Sequence, residues 1–174
     1  MKRWLLLLPA VLAASACRDP ALDAKAEALG PDPGPYEEGP LHRAGFPCTY
    51  CHAKGGRAEP NFDLAGTVYA EKDSPEGLPG VTVRLFDSKG RQQTVGTNEV
   101  GTFFLEEGAL ELEFPLWVRL EYGDERRCMK TPIRRERSCA ACHFDPAGPS
   151  RTFRVYLRDD EPVSGRDSCK EPTP

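Results

Sequence analysis

"GTVYAEKDSPEGLPGVTVRLFDSKGRQQTVGTNEVGTFFL", residues 66 to 105, holds the pattern that decides the fold. Inside it, "VTVRLF" puts Val81, Val83 and Leu85 on one face of an extended chain, with Thr82 and Arg84 on the other. Side chains alternate along a strand, so this period of two marks a half-buried strand. Turn residues at Asp87 to Gly90 and at Asn98 to Gly101 punctuate the stretch. The same alternation recurs downstream. "LWVRLEY" sets Leu116, Val118, Leu120 and Tyr122 against Trp117, Arg119 and Glu121. "ALELEF" aligns Leu110, Leu112 and Phe114 against two glutamates, and "FRVYL" aligns Phe153, Val155 and Leu157. About seven short alternating strands predict a mainly β chain, a single seven-stranded antiparallel β-sandwich with one buried face per sheet.

Outward from this stretch the chain changes character. Residues 17 to 45 contain Pro20, Pro31, Pro33, Pro35 and Pro40 with little apolar periodicity, which predicts a flexible, disordered tether. Ahead of it lies a short basic region, Lys2 and Arg3, and then "WLLLLPAVLAA", an apolar run of 11 residues. That run is too short to span a bilayer and has the proportions of a signal-peptide core. "ASAC", residues 14 to 17, resembles the lipobox of bacterial lipoproteins, with alanine where leucine is usual at its first position. The resemblance implies cleavage after residue 16 and lipidation of Cys17. An acyl anchor contributes about 0.8 kcal/mol per buried methylene, enough for several chains to hold a protein on a membrane.

Removing the signal peptide leaves 158 residues, with 21 basic against 27 acidic side chains, a balance of −6. Such a charge argues against nucleic acid as a partner. A mean hydropathy of −0.52 and the lack of a later long apolar run argue against a membrane span.

Seven cysteines in an exported chain invite accounting. Cys17 is taken by the lipid. Cys48 and Cys51 stand in "FPCTYCHAKGG", with His52 directly behind, and Cys139 and Cys142 stand in "SCAACHF", with His143 directly behind. Cys128 and Cys169 remain, and in an oxidising compartment they most simply form one disulfide.

Two of the three histidines thus follow a C-x-x-C directly. In c-type haem attachment the two thiols add to the haem vinyl groups, and the adjacent histidine is delivered to the iron. A zinc ribbon would place its pairs roughly 15 to 20 residues apart, whereas 88 positions separate Cys51 from Cys139. A thioredoxin-like motif needs a βαβ setting, which neither motif has. Two structural disulfides stay open as an alternative.

The stretch from 66 to 105 also resembles the carboxypeptidase regulatory-like, transthyretin-type β-sandwich. The matching features are Gly66 and Val68, Gly77 and Pro79 ahead of the Val81 strand, Gly90 in the hairpin, and "TNEVGTF" entering the next strand. The resemblance implies a non-catalytic scaffold or binding module. The full arrangement, with the sandwich between two C-x-x-C-H motifs, is similar to exported dihaem cytochromes. In those a methionine lies ahead of the second motif, where this chain has Met129, its one methionine after processing. His42, the one histidine outside the motifs, is the other candidate distal ligand. Methionine on iron raises the reduction potential relative to a second histidine. Arg126, Arg127, Lys130, Arg134, Arg135 and Arg137 crowd the approach to the second motif. They could pair with haem propionates, steer an acidic redox partner, or form a solvated loop.

The expectation is a signal peptide over 1–16, a lipidated tether over 17–45 and a first haem-binding segment over 46–60. The sandwich follows over 61–123, a second haem-binding segment over 124–148, a final sandwich strand over 149–160 and a tail over 161–174. Cys48, Cys51, Cys139 and Cys142 would carry two covalent haem c groups, with His52 and His143 on the irons. The function expected is electron transfer between redox proteins of the bacterial cell envelope, not enzymatic catalysis. The chain would be lipid-anchored and exposed to the periplasm or cell surface. The alternative is a non-haem envelope lipoprotein whose sandwich binds a ligand or partner. A dihaem peroxidase would need an open iron position and a distal acid-base residue, and the sequence names none.

Overall fold

A computed structural model describes residues 18–144 and 154–158 of the chain. Among them are six strands in two antiparallel sheets. The larger sheet runs in the order β3-β2-β5-β6, with β2 Thr82–Asp87, β3 Gln92–Gly96, β5 Leu116–Tyr122 and β6 Glu125–Cys128. The smaller pairs β1 Phe62–Thr67 with β4 Thr102–Glu106. A register shift interrupts that pairing between Phe62 and Leu64, the local irregularity a bulge produces.

The alternation in "VTVRLF" and "LWVRLEY" buries the expected faces except at Tyr122, which ends β5 exposed. Val83 lies opposite Val95 on one side and Leu120 on the other, and Leu85 lies opposite Val118. Both sheets feed one core, to which β1 gives Leu64, β4 gives Phe103, and β2 and β5 give Val83, Leu85, Leu116, Val118 and Leu120. The β2–β3 turn is closed by Asp87, a buried side chain. Its Oδ1 accepts from the Lys89 and Arg91 N–H groups at 2.8 and 3.0 Å, and its Oδ2 from Arg91 Nε at 2.7 Å. At the β3–β4 turn, Asn98 Oδ1 accepts from Val100 and Thr102 N–H at 3.1 and 3.0 Å. Gly101 there has φ +73°, and a Cβ would sit 2.5 Å from the Gly77 carbonyl carbon.

Among the described residues the structure differs in detail from the sequence expectation. "ALELEF" is not a strand. Asp63 Oδ2 takes the Gly108 and Leu110 N–H groups and Gln93 Oε1 takes that of Glu111, so side chains occupy donors a ladder would need. The final strand over 149–160 is, within its described residues, a single parallel bridge between Tyr156 and Tyr69. Phe153 lies outside the described residues. β6 extends the larger sheet into the segment assigned to the second motif. Most clearly, the expected tether contains a helix, α1 Pro20–Ala28. Asp19 caps it by accepting from Ala21 N–H at 2.8 Å, and proline stands at its first position, where its missing N–H costs nothing.

Cys17, Cys169, the signal peptide and the C-terminal tail lie outside the described residues. No helix among the described residues is long and apolar enough to cross a membrane.

Candidate functional site

Each C-x-x-C-H motif folds into the same short turn. Cys48–Tyr50 and Cys139–Ala141 are both 3₁₀ helices. In the first, Cys51 N–H and His52 N–H donate to the Cys48 carbonyl at 3.1 and 2.9 Å. In the second, Cys142 N–H and His143 N–H donate to the Cys139 carbonyl at 3.1 and 2.8 Å. The inner residue of each turn, Thr49 or Ala140, is buried. Two turns of one geometry follow from one spacing, because the backbone bonds tie the first cysteine to the histidine.

The first turn opens onto a pocket of about 340 Å³ lined by Cys48, Cys51, His52 and His42 together with Phe46, Phe62 and Phe104. His52 is buried, and its Nδ1 donates to the Pro60 carbonyl at 2.8 Å. His42 Nδ1 donates to the Gly39 carbonyl. A carbonyl can only accept, so both rings carry their proton on Nδ1 and keep Nε2 as the basic nitrogen. That is how metal-ligating histidines are commonly oriented. The two ring centroids are 5.7 Å apart. Two imidazoles on opposite sides of one ion, each nitrogen about 2 Å from it, place their centroids about 6 Å apart. Burial lowers the His52 pKa, against the opposing pull of the Pro60 carbonyl. Phe62 stacks on His52 at 4.5 Å and on Phe104 at 4.8 Å, a row of three rings. Arg43, beside His42, has φ +49°, a strained setting for a residue with a side chain. Its guanidinium donates to the Gly30 carbonyl at 2.6 Å and lies over Phe46.

The second turn opens onto a larger pocket of about 740 Å³ lined by Cys139, Cys142, His143 and Met129, with Tyr156 and Ile133 among its walls. Met129 is partly buried against the core, and its N–H donates to the Val118 carbonyl at 3.0 Å. Lys130 and Arg134 lie on the pocket wall, as do Arg127 and Arg154. Arg127 covers the Tyr156 ring at 3.8 Å. Arg137, grouped with these by sequence, instead pairs with Asp63 at 2.6 Å. Ser138 Oγ, in a residue 1 % exposed, has no hydrogen-bond partner among the described residues, and Ser138 lines this pocket.

Cys48, Cys51, Cys139 and Cys142 all keep reduced thiols. Burial pushes Cys48 up to about 11 and Cys139 up to about 12, the neighbouring Cys48 adding to the latter. Burial thus keeps the Cys48 and Cys139 thiols protonated, which makes these two poor attacking groups as they stand. Cys128, by contrast, is disulfide-bonded, to a partner outside the described residues. Among the described residues no three His, Cys, Asp or Glu side chains converge as metal ligands.

These residues fit a haem. Each motif lines its own pocket with two thiols, and His52 offers Nε2 while a carbonyl holds its Nδ1. Each pocket is within the usual range for a cofactor site, and each contains one further soft or imidazole donor. The sequence missed Phe62, Phe104, the Pro60 carbonyl and Ser138. A period-two signal in "NFDLAG", placing Phe62 and Leu64 on one face, was available for the first of these. No family model matches this chain, and no curated protein or solved structure matches it either.

Proposed function

We propose that this chain is a lipid-anchored dihaem c-type cytochrome that passes single electrons between protein partners at the cell envelope. The observation that carries the proposal is the repeated turn. Two C-x-x-C-H motifs with one backbone geometry each face a separate pocket, and each pocket holds one candidate distal ligand, His42 in the first and Met129 in the second.

Bound haem would supply the reversible one-electron change at iron. The protein's own groups would hold and tune it. Cys48 and Cys51, and Cys139 and Cys142, fix the porphyrin edges. The Pro60 carbonyl keeps His52 in one tautomer and one orientation, and Phe62 packs its face. The two-sheet core gives a scaffold that need not reorganise when charge changes, which suits electron transfer rather than catalysis. Lys130 and Arg134 line the second pocket and would meet propionates or an acidic partner. The lipid on Cys17 would keep the molecule at the membrane.

The test is expression with a cytochrome c maturation system, followed by mass measurement of intact protein after acid–acetone extraction. Wild type should retain two haems, and Cys48→Ala with Cys51→Ala should retain one. A colourless wild-type protein with no added mass would overturn the proposal and leave a non-haem envelope lipoprotein.

A further inference from the structure

The two motifs, 88 positions apart in sequence, are fastened to the same strand. Phe62 N–H, at the start of β1, donates to the His52 carbonyl at 2.7 Å. Three residues on, Ala65 N–H donates to the Arg137 carbonyl at 2.9 Å, and Ala65 bridges to Ser138, the residue before Cys139. Three residues of strand span about 10 Å. Flanking rings close the same gap, because Phe46 ahead of the first motif meets Phe144 after the second edge-on at 5.3 Å.

Gly66 follows Ala65 on β1. Its φ lies outside the left-handed range, so it is not needed for conformation. A Cβ there would sit 2.8 Å from Cys139 Sγ and 2.9 Å from Phe103 Cε1. Glycine is required for space, and the occupant of that space is a haem-attachment cysteine.

We infer that β1 joins the two attachment turns into one electronically coupled pair, and that Gly66 is the positioning residue that seats Cys139 close enough for the coupling. The inference rests on the dihaem proposal. An electron arriving from a one-electron redox protein at either motif passes to the other within the molecule. With haem held by Cys48, Cys51 and His52 and by Cys139, Cys142 and His143, the step would be a one-electron exchange between the two sites, one losing the electron that the other gains, with no proton moved and no bond broken. Reduction of one site adds negative charge beside the other, so the two potentials depend on each other.

The holo-protein tests this by circular dichroism in the Soret region and by redox titration. Wild type should show a two-signed couplet that the single-haem variant Cys48→Ala/Cys51→Ala and its counterpart Cys139→Ala/Cys142→Ala both lack. The potential of the second haem should shift when the first is absent. Gly66→Ala should keep two haems by mass yet lose couplet intensity. A wild-type spectrum equal to the sum of the two single-haem spectra, with unshifted potentials, would overturn the coupling even though two haems are attached. Protein without haem would overturn the dihaem proposal and the inference with it. A Gly66→Ala protein with full couplet intensity would remove Gly66 from its role. Should that variant not accumulate, the single-haem comparison still decides the coupling.

Discussion

Leu64 is the side chain through which β1 joins the core, and truncating it tests the shared core of the two sheets. The residue is 0 % exposed and packs in the cluster fed by both sheets. Leu64→Ala removes three carbons, at about 0.8 kcal/mol each, a loss of roughly 2.4 kcal/mol. A residual void of about 50 Å³ would add about 1.2 kcal/mol, for an expected loss near ~3.5 kcal/mol. For a chain of this size each kcal/mol moves Tm by about 2 to 4 °C, so the melt should fall by about 7 to 14 °C. Leu105, its partner on β4, is only partly buried. Leu105→Ala should therefore cost about half as much. The assay is far-ultraviolet circular dichroism with urea and thermal melts on both variants in the same haem state. A loss below about 1 kcal/mol for Leu64→Ala, or a larger loss for Leu105→Ala, would refute the shared core.

Met129→Ala should abolish the weak red-edge absorption band of a thioether–iron bond and lower one midpoint potential. Unchanged band and potentials would pass the search to another ligand. Cys128→Ser should cost about 2 to 4 kcal/mol, and non-reducing peptide mapping should find Cys128 joined to Cys169; a link to Cys17 would defeat both that pairing and the lipid anchor. Asp87, though buried, is held below the usual carboxylate range by Arg91 and by backbone N–H groups, as Glu113 is by Lys89 and Glu121 by Arg84. A lowered folded pKa gives stability that is present at neutral pH and lost as pH falls below about 4. Arg91→Gln should thus destabilise more at pH 7 than at pH 3, and equal losses would contradict this origin.

The parts of the molecule legible in the sequence are those governed by short-range periodicity. The β2 and β5 strands were visible because Val83, Leu85, Val118 and Leu120 alternate with charged neighbours, and the motif turns because their spacing is fixed. "ALELEF" alternates as cleanly, but two side chains distant in sequence, Asp63 and Gln93, capture its backbone donors. Helix α1 had its signals in plain view, an Asp-Pro start and an alanine-rich body, yet the surrounding prolines masked them. Its packing also depends on Arg57, which pairs with Asp23 at 3.0 Å. The closeness of the two motifs was not legible at all. It depends on which strand edge receives Arg137 and Ser138, a choice made by the whole core rather than by any local pattern.

The docking of α1 changes what a lipid on Cys17 would do. Asp19 N–H donates to the Gly55 carbonyl at 2.7 Å, so the chain is already fastened to the body of the protein two residues after Cys17. A leash running through residue 45 could have let the domain roam about 100 Å from the bilayer, whereas two residues allow about 7 Å. Such a molecule is moored at the waterline rather than flown on a line. The part of the molecule around Asp19 and Gly55 would then stay close to the headgroups. Electron delivery would then be a matter of partners coming to a fixed berth.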